Sequence, residues 1–323
     1  MAKDTEGKGK LIVADEAGAY LNEPMRRLVR HALRPVSRPV TQVALPELAP
    51  LTARDRMLAP ERDTGLPAVQ PLPPGPKLIF EQGPGGAGKT TLANILVGRY
   101  DELGILPSCL TAATDPGVVG LARLLPAEAL HQPKSRSEKH AEELLADVLY
   151  EVEQDPPPVT LVDAGAGSNA LEKVVQRDPG VLARIRAKGV AVVDLWCWTP
   201  RVLNLALFRS FRALGVKPDR TAMVLNGSLA SSGWEAYALL RGQAEYQAAL
   251  QEGAAEVFMP ALRQEVALEA EGRGLLYHYV AQGKVPAWAK GVAPIEGDDA
   301  MEAGLWLPEV DDALASVASW VTP

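Results

Sequence analysis

From Pro76 onward the chain alternates short apolar runs with longer amphipathic stretches, the texture of parallel strands joined by crossover helices. The apolar runs predict strands at Lys77–Gln82, Ser108–Ala112, Val159–Asp163, Val190–Leu195 and Arg220–Asn226, with a short one at Val257–Met259. Helical spacing predicts helices at Lys89–Leu103, Ser137–Gln154, Leu171–Lys188, Arg201–Leu214 and Trp234–Leu250. Leu92, Ile95, Leu96 and Leu103 share one face of the first, and Pro156, Pro157 and Pro158 stop the second. No internal repeat is visible. The expected fold is α/β, a doubly wound and mostly parallel sheet flanked by helices.

The preceding stretch behaves differently. Pro35, Pro39, Pro46, Pro50, Pro60, Pro67, Pro71, Pro73 and Pro74 interrupt every sustained period, so residues 1–75 are expected to form an extended arm or linker ahead of a domain at 76–323. Within the arm, Pro24 to Leu33 can make a short basic helix, with Arg26, Arg27 and Arg30 beside Leu28, Val29 and Leu33. A solvated helix, a docking segment and a DNA-contacting arm all remain open for it.

Composition narrows the class without naming a function. With 323 residues, 47% hydrophobic and 23% charged, the chain can bury a large core. Aromatics are only 5%, so that core must be mainly aliphatic. No run reaches the roughly 20 apolar residues of a membrane span, and Met1 to Lys10 is polar, so a cytoplasmic protein is expected. Cys109 and Cys197 lie in apolar segments without metal-type spacing and are read as buried thiols. The net charge of −7 divides into +3 over residues 1–60 and −10 over the rest, and no Lys or Arg follows Lys290. That division argues against a nucleic-acid surface along the whole chain but leaves a local one open.

The chemistry concentrates after the first strand. Gly83-Pro84-Gly85-Gly86-Ala87-Gly88-Lys89-Thr90 matches GxxxxGK[ST], placed directly between an apolar strand and an amphipathic helix. Glycines let successive N–H groups turn toward phosphate oxygens, the helix N-terminus adds positive potential, and Lys89 supplies a mobile cation. Thr90 is expected to hold Mg²⁺ through its hydroxyl, and Thr91 to complete the cradle. Such a site also wants a strand-end carboxylate, which Asp163 supplies, followed by the small residues Ala164 to Gly167. Asp115 can position an attacking water or simply cap the turn at Pro116-Gly117.

The spacing Gly-x-Gly-Gly-x-Gly-Lys-Thr-Thr, the Asp115-Pro116 step, the strand ending in Asp163 and Val224-Leu225-Asn226 together resemble the ParA/MinD group of P-loop ATPases, over about residues 76–323. The resemblance implies ATP and Mg²⁺ as ligands, Lys89, Asp115 and Asp163 as catalytic residues, and adenine recognition by Asn226. It also implies that Val257-Phe258-Met259-Pro260 leads into a loop closing over the base, which adds Pro260 to the nucleotide contacts. Gly83, Gly85, Gly86, Ala87, Gly88, Lys89, Thr90 and Thr91 take the phosphates. The sequence departs from that group at two places. Pro84 stands where a signature lysine would reach across an ATP-sandwich dimer, and Ala113 replaces the first acid of Asp-x-Asp-Pro. Proline offers no charge and no N–H, so cross-subunit stabilisation by that residue is impossible. Arg123 and Arg136 are candidates for a substitute cation, with ordinary surface arginines the plainer reading.

Three functions follow as expectations. The first is an ATP-dependent switch that hydrolyses ATP and changes affinity for a partner protein, for DNA or for a second copy, as in plasmid partitioning or transfer. The second is a P-loop small-molecule kinase or synthetase. The third is a noncatalytic nucleotide-binding module recruited through its basic arm. Arg201, Arg209, Arg212, Lys217 and Arg220 are a candidate DNA-contacting cluster or a solvated face. Trp196 and Trp198 alternate to one side of their strand and are read as packing under a helix.

Overall fold

The computed structural model describes residues 65–111, 121–135, 137–163, 165, 169–230 and 232–323. Its framework is a parallel sheet of seven strands: β1 (Lys77–Gln82), β2 (Ser108–Thr111), β3 (Leu130–His131), β4 (Val159–Asp163), β5 (Ala191–Trp198), β6 (Arg220–Asn226) and β7 (Ala255–Met259). Their order is β3-β2-β4-β1-β5-β6-β7, so β1 lies centrally between β4 and β5. β1, β4 and β6 have the bounds that the apolar runs predict. β5 runs three residues further than its expected end because Trp196 and Trp198 continue the alternation into a third cluster of buried side chains.

The glycine loop feeds α1 (Lys89–Glu102), which covers one face of the sheet with Leu92, Ile95 and Leu96 among its buried residues. Gly98 on this helix is pressed against His278 of α9 (Tyr277–Ala281), where a Cβ would stand 2.8 Å from Nδ1. The other face is covered by α2 (Glu138–Gln154), α3 (Ala170–Arg177), α4 (Val181–Ala187), α5 (Leu205–Ala213) and α7 (Ala244–Gln251), with α6 (Ala238–Arg241) preceding α7. Ser137 caps α2 by accepting the His140 N–H at 3.2 Å. The C-terminal part adds α8 (Gln264–Arg273), α10 (Asp298–Leu314) and α11 (Ala318–Val321) to the α1 face.

Two expected helices are broken. Leu171–Lys188 divides at Asp178-Pro179-Gly180, where proline has no N–H to donate and the Asp178 carboxylate accepts the Gly180 N–H instead. Trp234–Leu250 becomes a 3₁₀ segment, Gly233–Tyr237, followed by α6 and α7, with Gly242 at the break. The stretch expected from Arg201 begins as 3₁₀ and becomes α-helical only at Leu205.

Residues 66–72 run against the domain. Leu72 donates its N–H to Ser319 Oγ, and the Trp320 indole and the Arg220 guanidinium both donate to the Gln70 carbonyl. Leu66, Val69 and Leu72 are half-buried on the core clusters. The basic segment Pro24–Leu33 lies outside the described residues.

Candidate functional site: a phosphate-loop cradle

The loop Gly83–Gly88 leaves β1 at the carboxyl edge of the sheet, and neighbouring strands shape it from beneath. Gly83 has φ 125°, and a Cβ there would stand 2.2 Å from the Cys197 carbonyl oxygen at the end of β5. Gly88 has φ 93°, and a Cβ there would stand 2.3 Å from Asn226 Nδ2 at the end of β6. Both positions therefore need glycine twice over, for the left-handed backbone and for the close approach. Gly85 and Gly86 form the exposed tip, while Ala87 is buried.

Lys89 opens α1 and is buried to 7% exposure, with its ammonium donating to the carbonyls of Gly83 at 3.1 Å and Pro84 at 3.0 Å. Its cation is thereby held over the loop by main-chain oxygens. Thr90 is half-buried beside it. Thr91 turns the other way: its hydroxyl donates to Glu271 Oε1 of α8 at 3.1 Å, and the Tyr277 hydroxyl donates to the same oxygen at 3.1 Å. The Thr91 side chain thus ties α1 to α8 and α9, leaving its main chain as the part of the residue that a phosphate can meet. Asn94, one turn on, is fully buried and bridges the Leu275 carbonyl and the Tyr277 N–H.

Beneath the loop three polar side chains and a leucine line up across the sheet. The register places Thr111, Asp163, Glu81 and Leu195 side by side on β2, β4, β1 and β5. Alternation points Asp163 and Glu81 to the α1 face of the sheet, since Leu161, Ile79 and Leu195 belong to that face's core. Asp163 is 3% exposed and accepts the Gly165 N–H at 3.2 Å. Burial pushes its pKa up, while Lys89 and the Gly165 N–H pull it down. Glu81 is sealed completely, and neither carboxyl oxygen has a hydrogen-bond partner. Burial lifts its pKa well above the carboxylate range, Asp163 lifts it further, and Lys89 opposes both. A charged residue in the apolar strand Lys77-Leu78-Ile79-Phe80-Glu81 was the available sequence signal for this position.

Asn226 is 5% exposed and uses its side chain on the loops: Nδ2 donates to the Ala87 carbonyl at 3.1 Å, and Oδ1 accepts the Ser228 N–H at 2.9 Å. Its carbonyl accepts the buried Tyr237 hydroxyl at 2.9 Å. The residue therefore braces the phosphate loop from β6. Gly227 follows it, and there a Cβ would stand 2.5 Å from the Met259 carbonyl, so the turns after β6 and β7 are in close contact. Pro260, next on β7's exit, is fixed by the Trp306 indole N–H, which donates to its carbonyl at 3.0 Å. The fold is α/β, a seven-stranded parallel sheet flanked by helices, with the GxxxxGK[ST] loop between its central strand and α1.

No family model matches the chain, and no curated protein does. Among solved structures it is similar to FtsY of Thermotoga maritima, at 15% identity and TM-score 0.37, over 78% of this chain and 74% of that one. It is also similar to the septum site-determining protein MinD of Pyrococcus horikoshii complexed with Mg-ADP, at 15% identity and TM-score 0.39, over 75% of this chain and 98% of that one. A nucleotide-binding protein from Archaeoglobus fulgidus in complex with ADP is a third, at 15% identity and TM-score 0.39, covering 68% and 92%.

The structure brings Gly83 to Thr91, Asp163, Asn226 and Pro260 to the carboxyl edge of the sheet. Asp115 and Arg136 lie outside the described residues. Arg123 donates to the Gly272 carbonyl at 3.2 Å. In the basic cluster, Arg209 pairs with Glu245 and Arg212 with Glu252, so both guanidinium groups are engaged with α7 and the turn after it. The tryptophans pack as expected: Trp196 and Trp198 lie 5.8 Å apart by ring centroid and enclose Phe208 of α5. Cys109 and Cys197 are buried free thiols. No described helix is long and apolar enough to cross a membrane.

Proposed function

We propose that the chain binds ATP with Mg²⁺ at Gly83–Thr91 and uses the bound nucleotide as a switch, with hydrolysis of the terminal phosphate returning it to the unloaded state. The observation that carries this reading is the loop itself: two left-handed glycines pressed against Cys197 and Asn226, an exposed Gly85-Gly86 tip, and Lys89 anchored over it. Glycine adopts these turns without the steric strain that any side chain would bring, and the turns aim main-chain N–H groups at a helix N-terminus.

Thr90 and Asp163 are the residues that would hold the metal, and a hydroxyl with a strand-end carboxylate is an oxygen donor set suited to Mg²⁺. When bound, the cation neutralises charge on the phosphate oxygens. Lys89 binds the phosphate chain by exchanging the Gly83 and Pro84 carbonyls for phosphate oxygens. Asp163, raised by burial, gains from any added positive charge. Asn226, held on the Ala87 carbonyl, is the proposed link between the base and the phosphate loop. Asp115 is the proposed positioner of the attacking water. The output of the switch is altered affinity for a partner protein, for DNA or for a second copy.

Pro84 favours a second reading, a module that binds nucleotide without turning it over. Its carbonyl serves Lys89 and the Ala87 N–H, and its side chain brings no charge to the place where a catalytic lysine would stand. One paired experiment separates the two: calorimetry with Mg-ATP and phosphate release, on the native chain and on Lys89→Ala. The switch predicts saturable binding, turnover above the no-enzyme rate, and loss of both in Lys89→Ala by about 100-fold or more. Binding without turnover selects the module, and full affinity in Lys89→Ala contradicts both.

A further inference from the structure

The turn that leaves β7 is held from two sides. Towards β6 it packs on the turn after Asn226: a Cβ on Gly227 would stand 2.5 Å from the Met259 carbonyl oxygen and 3.0 Å from the Ala261 nitrogen. On its other side it is pinned to α10. The Trp306 indole is 4% exposed and donates to the Pro260 carbonyl at 3.0 Å. Glu302 Oε1 accepts the Arg263 N–H at 3.1 Å. The Arg263 guanidinium pairs with Asp299 and, at 3.1 Å, with Glu302 Oε2. Asp299, Glu302 and Trp306 follow one another at helical spacing, so a single face of α10 fixes residues 260–263 at both ends.

This turn stands beside the phosphate cradle. A Cβ on Gly88 would meet Met259 Cε at 3.5 Å as well as the Asn226 amide, and that amide donates to the Ala87 carbonyl. Pro260 and Leu262 are buried while Ala261 between them is exposed, so the tip of the turn faces outward from anchored ends. The cradle has fixtures of its own. Lys89 rests on the Gly83 and Pro84 carbonyls, and Cys197 and Asn226 shape the loop. α10 reaches α1 through Tyr277, whose N–H is held by Asn94 and whose ring meets Trp306 edge-on at 5.1 Å between centroids. It also does so through the Arg99–Asp311 pair. None of these links to α1 uses the indole N–H or Glu302.

We propose that Trp306 and Glu302 are positioning residues for the nucleoside half of the ligand: from α10 they hold residues 260–263 against the turn after Asn226, giving the base a fixed wall. The proposal rests on nucleotide binding at Gly83–Thr91 with the base on the Asn226 flank. Neither side chain touches the ligand; both act through the main chain of the turn. Without the indole N–H the buried Pro260 carbonyl loses its donor, and the turn must shift to find another. The triphosphate tail is gripped elsewhere, so loosening the turn weakens the hold on the nucleoside and spares the hold on the phosphates.

The test is calorimetry of the full chain with Mg-ATP and with Mg-tripolyphosphate, the same phosphate chain without the nucleoside. The native chain is expected to prefer Mg-ATP by at least about tenfold. Trp306→Phe keeps a ring against Tyr277 but has no N–H, and it should reduce that preference by about tenfold through loss of Mg-ATP affinity alone. Glu302→Ala, at a half-buried position on α10, should reduce it by about threefold, and it decides the matter if Trp306→Phe does not fold. Equal losses for both ligands mark a merely structural role and overturn the proposal, as does a preference unchanged in both variants. Equal affinity of the native chain for the two ligands overturns it while leaving phosphate binding at Gly83–Thr91 standing. Binding of neither ligand overturns both.

Discussion

Glu81 and Asp194 are carboxyl groups sealed into adjacent strands of one sheet, on opposite faces, and they differ in what surrounds them. Glu81 sits one strand from Asp163 and within the field of Lys89, so its proton affinity reflects a cluster of charges beneath the phosphate loop. Asp194 is shifted by burial alone. The contrast teaches that a buried acid is not one kind of object. On the face of α1 it belongs to an electrostatic group whose balance a cation would change; on the opposite face it is a solitary acid buried among apolar side chains.

The largest expected effect breaks the carboxyl edge while sparing the opposite face. Gly88→Ala forces a side chain into a left-handed residue and onto the Asn226 amide, which should destabilise the fold by about 1–3 kcal/mol. Mg-ATP affinity should fall by about 100-fold, and calorimetry of the variant against the native chain measures it. Unchanged affinity would mean that the loop's shape is not what binds nucleotide.

Next comes a pH effect that sharpens the difference between the two acids. The folded pKa of Asp194 is raised, so the native state holds a proton that the unfolded chain releases. Its contribution is fully retained below the unfolded pKa of roughly 4 and is lost as pH rises through about 8. Melting temperatures of Asp194→Asn and the native chain should therefore diverge by several degrees in favour of the variant between those limits. Glu81→Gln should diverge in the same direction, but its advantage should shrink when Asp163→Asn removes the neighbouring charge, whereas that of Asp194→Asn should not. Equal responses of both variants to Asp163→Asn would show that the two acids do not differ in their coupling to that charge.

The smallest effect concerns Thr91. Thr91→Val removes one hydrogen bond to Glu271 but leaves the main-chain N–H in place, so the cost should be about 1 kcal/mol in stability with Mg-ATP affinity within about threefold. A large loss of affinity would place the hydroxyl itself on the nucleotide.

Much of this architecture is legible in local pattern. An apolar strand, a glycine loop and an amphipathic helix in direct succession mark β1 and α1, and β4 and β6 end at Asp163 and Asn226 as their apolar runs predict. The broken helices were obscured because Pro179 and Gly242 sit inside stretches whose apolar spacing continues across them. Long-range contacts left weaker traces. Cys197 against Gly83, Asn226 on Ala87 and Glu271 on Thr91 each join residues more than a hundred positions apart, and no periodicity encodes them. Asp194 and Glu81 appear in sequence only as charges interrupting strands. Their burial, and the absence of partners for the Glu81 carboxyl and Asp194 Oδ1, follow from the register of the sheet.

Nucleotide binding at the glycine loop is tested by thermal unfolding of the full chain with and without millimolar Mg-ATP. A ligand that binds only the folded cradle must raise the melting temperature, by an amount that grows with the logarithm of its concentration. Such a rise is expected in the native chain and none in Lys89→Ala. An unchanged transition across that range would contradict binding at the loop.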